Sequence, residues 1–452
     1  MPKKVLLVDN ELKMIGHIIE HTDWIIEVLI TTKKRPGMKN ERIRKVYIQN
    51  DFRQNNDLQN FVYEDFYSFW HAQLKVENCF NRELVDYQLG KWSYYRGFAL
   101  VKKIFDENEI DFVIVKGLNH GWVYDRLITD MATNKGIDNY NVGDALEYTR
   151  SVYNNLSNKL VPVSESTIAI ENSLFYQLPQ EIKSHPQKGL KGYIYRLSYK
   201  LFGTLGIEFV DDIFRRSFSK DILTTTIFEK IYEYRSFIRA SRYYDSIAVD
   251  LDVHKNFICY AMQLEPEAAV AGMAEMDSQI AVIQMLASCL PTGWKLYVKE
   301  HPHQFSVNRS AMFKRDIYAT GVFKSKRFYQ EISKIKQVFF LKRETDMKKV
   351  IASCRAMATM TGSVAAEAVV YKKPVFVFAA ERTVYKLARG FFNIASYDDC
   401  KRAMKKIFQN GDVEYTDFEE VCAKYLIDFT DETEGLRIAI KTIKEDIFKT
   451  KI

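Results

Sequence analysis

Trp294-Lys-Leu-Tyr-Val-Lys-Glu-His-Pro-His303, followed later in the chain by Thr361-Gly-Ser-Val-Ala-Ala-Glu367 and Lys373-Pro-Val-Phe-Val-Phe378, decides how this sequence reads. Leu296 to Val298 is apolar and β-prone, and it breaks into a loop carrying Lys299, Glu300, His301 and His303. A buried parallel strand behaves this way where it meets a ligand crevice. In the second piece an alternating stretch, Ala356 to Met360, runs through Thr361-Gly362-Ser363 into a helical pattern. Hydroxyls and N–H groups then gather at a helix start, a geometry suited to phosphate without a Walker lysine. The bland alternative is an ordinary N-cap ahead of a buried helix.

Working outward, residues 256–261 read as a strand, Gln263-Leu-Glu-Pro-Glu267 as a polar loop and Gln279 to Leu290 as a helix. Strand and helix signals continue through Gln337 to Phe340 and Val375 to Phe378, and the tail from 416 reads as helical and charged. The pattern is that of a doubly wound α/β domain. Upstream, Val5 to Val8, a helix around Ile15 to Ile19 and a strand from Trp24 to Ile30 begin another such layer. Asp111 to Val115 and a helix from Tyr124 to Asn134 extend it, and residues 50–95 suggest a helical insertion. From 140 to 245 strand signals are sparse and helices are expected. The fold class is therefore α/β with two such domains, residues 1–248 and 249–452, helical insertions in the first, and a cleft between them.

With 452 residues and 47% hydrophobic content the chain can build more than one core. Six scattered cysteines form no Cys-x-x-Cys pair, so neither a structural zinc site nor a disulfide framework is expected. His301 and His303 have no third histidine near them in sequence, which leaves no metal site expected. Met-Pro-Lys-Lys leads straight into the first strand, with no signal peptide or membrane span expected, and the expected compartment is the cytosol. The net charge of +7 suits anionic substrates or an acidic lipid surface. Aromatic residues make up 14% of the chain without a dense Lys/Arg run or an RNA-binding ladder, so no nucleic-acid partner is expected. Lys188 to Lys200 mixes cations with tyrosines, as interfacial helices do, although a solvated helix face with snorkelling lysines is the favoured reading.

Ligands of open α/β sheets bind beyond the carboxyl ends of the strands. In the second half those loops offer Gln263, Glu265 and Glu267, then Lys299, His301 and His303, then Thr361, Gly362 and Ser363. Glu367 follows one turn after Ser363, where a carboxylate can hold ribose hydroxyls or simply favour the helix dipole. In the first half Asp9, Glu11 and His120 end predicted strands and are the candidates to act on an acceptor hydroxyl, although Asp9 can equally cap the first helix.

The run from Tyr260 to Glu267, the Leu290 to Pro302 stretch and the Thr361 to Ala368 segment through Lys373-Pro-Val375 resemble the bacterial capsule polysaccharide biosynthesis family. That family includes capsular Kdo transferases, and the motifs also echo bacterial sialyltransferases. The resemblance implies a GT-B glycosyltransferase, two Rossmann-like domains, needing neither metal nor cofactor and using a CMP-linked acidic sugar such as Kdo or a sialic-acid-like sugar. It assigns His301 and Pro302 to the CMP phosphate and ribose, Thr361 and Ser363 to the phosphate, and Glu367 to the nucleotide, with Gln263 and Glu265 close by. The acceptor would be a capsular or other surface glycan or glycolipid, handled at the inner face of the plasma membrane. At Ala379-Ala-Glu-Arg382 the chain departs from the glycine and aromatic pair of its relatives. A sugar-nucleotide epimerase of the same shape and a non-catalytic capsule assembly or export factor are the alternatives.

Overall fold

The computed structural model describes residues 2–32, 40–48, 51–52, 72–77, 87–117, 124–163 except 147, 227–265, 276–305, 320–378, 383–409 and 418–449, with a few single positions between them. Two sheets organise the chain. The first contains β1 (Lys4–Val8), β2 (Ile25–Thr31), β3 (Ile43–Ile48), β4 (Phe112–Lys116), β5 (Asp138–Asp144), β6 (Thr149–Asn154) and β7 (Lys159–Leu160). Strands β3-β2-β1-β4-β5 run parallel in that order, and β6 closes antiparallel on β5.

The second sheet contains β8 (Phe257–Ala261), β9 (Lys295–Lys299), β10 (Val338–Phe340), β11 (Ala356–Thr359), β12 (Val375–Val377) and β13 (Phe391–Asn393). Its order, β10-β9-β8-β11-β12-β13, is parallel throughout. Both are Rossmann-like orders, each reversing direction beside its first strand, between β1 and β4 and between β8 and β11. The two-domain α/β class read from the sequence is the observed one.

The strand residues explain why both faces of each sheet are covered. Side chains alternate along a strand, so an all-apolar strand needs cover on both sides. Leu6 and Val8 join one core while Val5 and Leu7 join another. In the second sheet Ile258, Tyr260, Leu296 and Val298 share one core, and Phe257, Cys259 and Tyr297 share the opposite one. The helices that supply this cover are α1 (Met14–His21), α2 (Tyr87–Glu107) and α3 (Asp125–Asn134) on the first sheet. On the second they are α4 (Ile227–Ile247), α5 (Gln279–Cys289), α6 (Thr320–Phe323), α7 (Lys326–Ser333), α8 (Met347–Ser353), α9 (Val364–Val370) and α10 (Tyr397–Gln409). Ser278, Ser325 and Asp346 cap the starts of α5, α7 and α8 with their side chains.

Three expectations are corrected. Residues 138–160 are not helical: they form β5, β6 and β7, because Tyr140, Val142 and Val152 alternate into the first core. The boundary at 248 falls too late, since α4 places Phe237, Ala240 and Tyr244 in the core of the second unit. There Gly321 lets α6 approach α4: a Cβ on it would stand 2.2 Å from the Phe237 Cα. The far end of the chain returns to the first unit. After α11 (Phe418–Tyr425), β14 (Leu426–Asp428) pairs antiparallel with β6, and α12 (Glu432–Lys449) packs Leu436, Ile440 and Ile443 into the core shared with Ile15 and Ile18 of α1. The basic stretch 188–200 lies outside the described residues, as does 379–382.

Candidate functional site

The loops that leave β8, β9 and β11 are tied into one polar cluster at the switch point of the second sheet. The first tie is Gln279, buried at the start of α5. Its carbonyl accepts from the Gln263 N–H at 2.9 Å and the Tyr260 hydroxyl at 3.2 Å, and its amide donates to the Gln263 carbonyl and the Glu265 carboxylate. Gln304, fully buried, then joins this loop to the next. Its side chain accepts from the Glu265 N–H at 3.0 Å and donates to the Glu265 carbonyl at 3.1 Å, as a strand neighbour would.

Glu300 sits beneath the His-Pro turn. Its carboxylate, 3% exposed, accepts from Lys324 Nζ at 2.9 Å, from the Tyr329 hydroxyl at 2.6 Å and from the His301 N–H at 2.7 Å. Three donors, one cationic, satisfy a charge that burial alone would make prohibitive. Lys324 is itself fully buried and donates also to the Gln263 carbonyl. The His301 ring accepts from the His303 N–H through Nδ1 at 3.1 Å, so the neutral ring carries its proton on Nε2.

Across the switch point the side-chain carbonyl of Gln263 accepts from the Thr361 N–H at 3.2 Å and the Gly362 N–H at 2.6 Å, the amide orientation that these two donors require. Gly362 N–H also reaches Thr359 Oγ1 at 3.3 Å. A Cβ on Gly362 would stand 2.9 Å from both the Gln263 amide and Thr359 Oγ1, so the close approach needs glycine. Ser363 is exposed and makes no cap bond with its side chain. Glu367 is half-buried, and burial raises its carboxyl above the usual range against the pull of Lys348. Burial likewise raises Glu265, with Lys324 opposing.

Gln263, Glu265, His301, Thr361 and Gly362 are thus brought together. Pro302 is exposed in the turn beside His301, and Glu267 lies outside the described residues. Lys299 is a correction. It is 5% exposed and donates to the backbone carbonyls of Lys342 and Arg343, holding the loop after β10 instead of facing a ligand. Gln279, Gln304, Lys324 and Tyr329 were not among the sequence candidates. Glu300 had a signal, its place directly before His-Pro, whereas Lys324 is far in sequence and has none.

In the first unit Asp9 is also corrected. It is fully buried, and its carboxylate accepts from the N–H groups of Glu11, Leu12 and Met14 at 3.2, 3.0 and 2.7 Å, so it caps the entry to α1 and is not available to an acceptor. Burial raises its carboxyl, opposed by Lys116. Glu11 is open to solvent and pairs with Lys116 and Lys13, each at 3.2 Å. Burial would raise the Glu11 carboxyl, but Lys116 and Lys13 outweigh it and hold it below its ordinary value. Lys116, at the end of β4, also meets Glu432 from α12 at 3.0 Å. His120 lies outside the described residues. Among the described residues no three His, Cys, Asp or Glu side chains gather as a metal set, and no helix is long and apolar enough to cross a membrane.

Residues 215–419, which span the second sheet, match the family model of capsule polysaccharide biosynthesis proteins. The resemblance carried by the motifs is therefore shown. No curated protein matches the chain in sequence. Among solved structures, the KpsC β-Kdo 2,7-transferase of Thermosulfurimonas dismutans aligns at 11% identity over 75% of this chain and 88% of its own, with a TM-score of 0.32. A UDP-GlcNAc 2-epimerase of Methanocaldococcus jannaschii aligns at 10% identity over 98% and 100%, with a TM-score of 0.28. A UDP-forming trehalose-phosphate synthase of Burkholderia vietnamiensis aligns at 10% over 99% of each chain, also at 0.28. Similarity at this level leaves the roles of residues to the geometry of the chain itself.

Proposed function

We propose that this protein is a GT-B glycosyltransferase of capsule or surface polysaccharide synthesis, transferring a sugar from a nucleotide donor held by the second unit to a glycan held by the first. The observation that carries this reading is the convergence of three strand-end loops on the switch point between β8 and β11, within the segment that matches the capsule family. Open α/β sheets bind nucleotides at that place.

In this reading His301 and the hydroxyls of Thr361 and Ser363 bind the donor phosphate, and Glu367 holds ribose hydroxyls. Donors fixed in place by a buried network cost little reorganisation as charge develops on the leaving phosphate. Glu300, Lys324 and Tyr329 supply that rigidity for His301. The donor is a CMP-linked acidic sugar, and the reaction proceeds without a metal. Removal of the acceptor proton falls to His120 or Glu11; the lowered pKa of Glu11 makes it the weaker base of the two. The enzyme works at the inner face of the membrane, held there by its basic stretch.

Calorimetric titration with CMP, UDP and GDP tests the reading. CMP should bind, and His301→Ala should weaken it about tenfold, the loss of one charge-assisted contact. Binding of none of the three would sink it. Turnover of the nucleotide sugar to its epimer without acceptor glycan would point to an epimerase.

A further inference from the structure

A crevice of about 380 Å³ opens at the carboxyl end of the first sheet. It is lined by Glu11, Lys13, Asp144, Arg150 and Glu432, with Leu146, Tyr148, Thr149 and Phe429 as its less polar part. Its volume falls in the ~300–1,000 Å³ range of small-molecule sites. Glu11 follows β1, Asp144 ends β5 and Lys116 ends β4, so the crevice sits beside that sheet's own switch point.

Three properties define what it fits. Its carboxylates are matched by cations: Asp144 pairs with Arg150 at 3.1 Å, and Glu11 and Glu432 pair with Lys116 and Lys13. With the charges cancelled, an anion gains nothing there, yet carboxylate lone pairs and ammonium protons remain suited to hydroxyl groups, which both donate and accept. Tyr148 stands 55% exposed over this polar floor. Its backbone is left-handed, with φ +52, a conformation costly for a bulky residue. Tyr148 lies in the loop of the β5–β6 hairpin, which the Thr149 N–H closes on the Leu146 carbonyl at 3.0 Å, and the Tyr148 carbonyl accepts from the Phe429 N–H of the returning chain at 2.8 Å. An exposed aromatic ring beside a polar floor is shaped to stack on the apolar face of a sugar.

We infer that this crevice binds a neutral sugar ring of the acceptor glycan, its apolar face stacked on Tyr148 and its hydroxyls shared among Glu11, Asp144, Glu432 and Lys13. The inference rests on the glycosyltransferase reading for the ring being an acceptor. Because Phe429 and Glu432 come from the returning C-terminal segment, that segment completes the site.

Saturation-transfer NMR on the full chain tests it with maltotetraose, cellotetraose, chitotetraose and mannotetraose as probes. At least one should receive saturation, and Tyr148→Asn should weaken its binding about tenfold, the loss of one aromatic contact. Asparagine accepts the left-handed backbone, so this variant keeps the turn and removes only the ring. His301→Ala should leave the signal unchanged. Transfer to none of the four probes, or equal transfer in Tyr148→Asn, would overturn the inference. Calorimetry of Tyr148→Asn with CMP should match wild type; if wild type binds no nucleotide, the enzyme reading falls while the sugar signal still decides this site.

Discussion

The Gln263 side-chain carbonyl accepts the Gly362 N–H at 2.6 Å and so ties the loop after β8 to the loop after β11 across the switch point of the second sheet. The same two loops are the ones the motifs single out, and the tie gives their shape a measurable energy.

Removing that acceptor leaves the Thr361 N–H without its side-chain partner and the Gly362 N–H with Thr359 Oγ1 alone. Gln263→Ala should cost about 1–3 kcal/mol, the range for a buried donor left without a partner. Gly362→Ala forces its new methyl against Gln263 and Thr359 and should cost a similar ~1–3 kcal/mol through overpacking. Urea denaturation measures both. A neutral Gln263→Ala would mean the tie contributes nothing.

The Lys324–Glu300 pair predicts a larger loss. Lys324→Met leaves the Glu300 carboxylate buried without its cation and should destabilise by about 3–5 kcal/mol. Tyr329→Phe removes one hydrogen bond to the same charge and should cost roughly 1.5–3 kcal/mol. Thermal unfolding of the two variants checks the order, and a milder effect from Lys324→Met than from Tyr329→Phe would contradict it.

Glu367 predicts a pH dependence of definite sign. Its folded pKa lies above the ordinary 4.5, so it supports the fold fully below that pH and loses this support as pH rises through the folded value. Glu367→Gln should therefore match wild type in acid and be the more stable protein at pH 7. Urea midpoints from pH 4 to 8 test this, and a variant less stable at neutral pH would show that Glu367 has a stabilising partner instead.

Lys299 and His301 separate structure from binding. Lys299→Met abandons two backbone carbonyls and should lower stability by about 1–3 kcal/mol while leaving nucleotide affinity within twofold of wild type. His301→Ala should do the reverse. Parallel calorimetry and denaturation distinguish them, and a tenfold loss of CMP affinity in Lys299→Met would restore it to the site.

The sequence by itself determined the two α/β layers, most of their parallel strands and the loops that carry polar chemistry. Strands buried on both faces announce themselves as short apolar runs, and a run that ends in Lys-Glu-His-Pro or Thr-Gly-Ser marks its carboxyl end without any knowledge of neighbours. Glu11, Gln263, Glu265, His301 and Thr361 were readable for that reason. Tertiary structure decided which of these groups are occupied internally. Asp9 and Lys299 have the residue types and positions expected of a site, yet each is consumed by backbone groups whose need for partners depends on burial. Tertiary structure also supplied Lys324 beneath Glu300 and returned Glu432 to Lys116, residues separated by much of the chain. The β5 to β7 strands and the homecoming of β14 escaped the pattern because polar residues interrupt their alternation and their pairing is antiparallel across distant segments. Local periodicity fixes an element where its strand is apolar throughout, whereas long-range packing fixes the interrupted strands and which charges are left for chemistry.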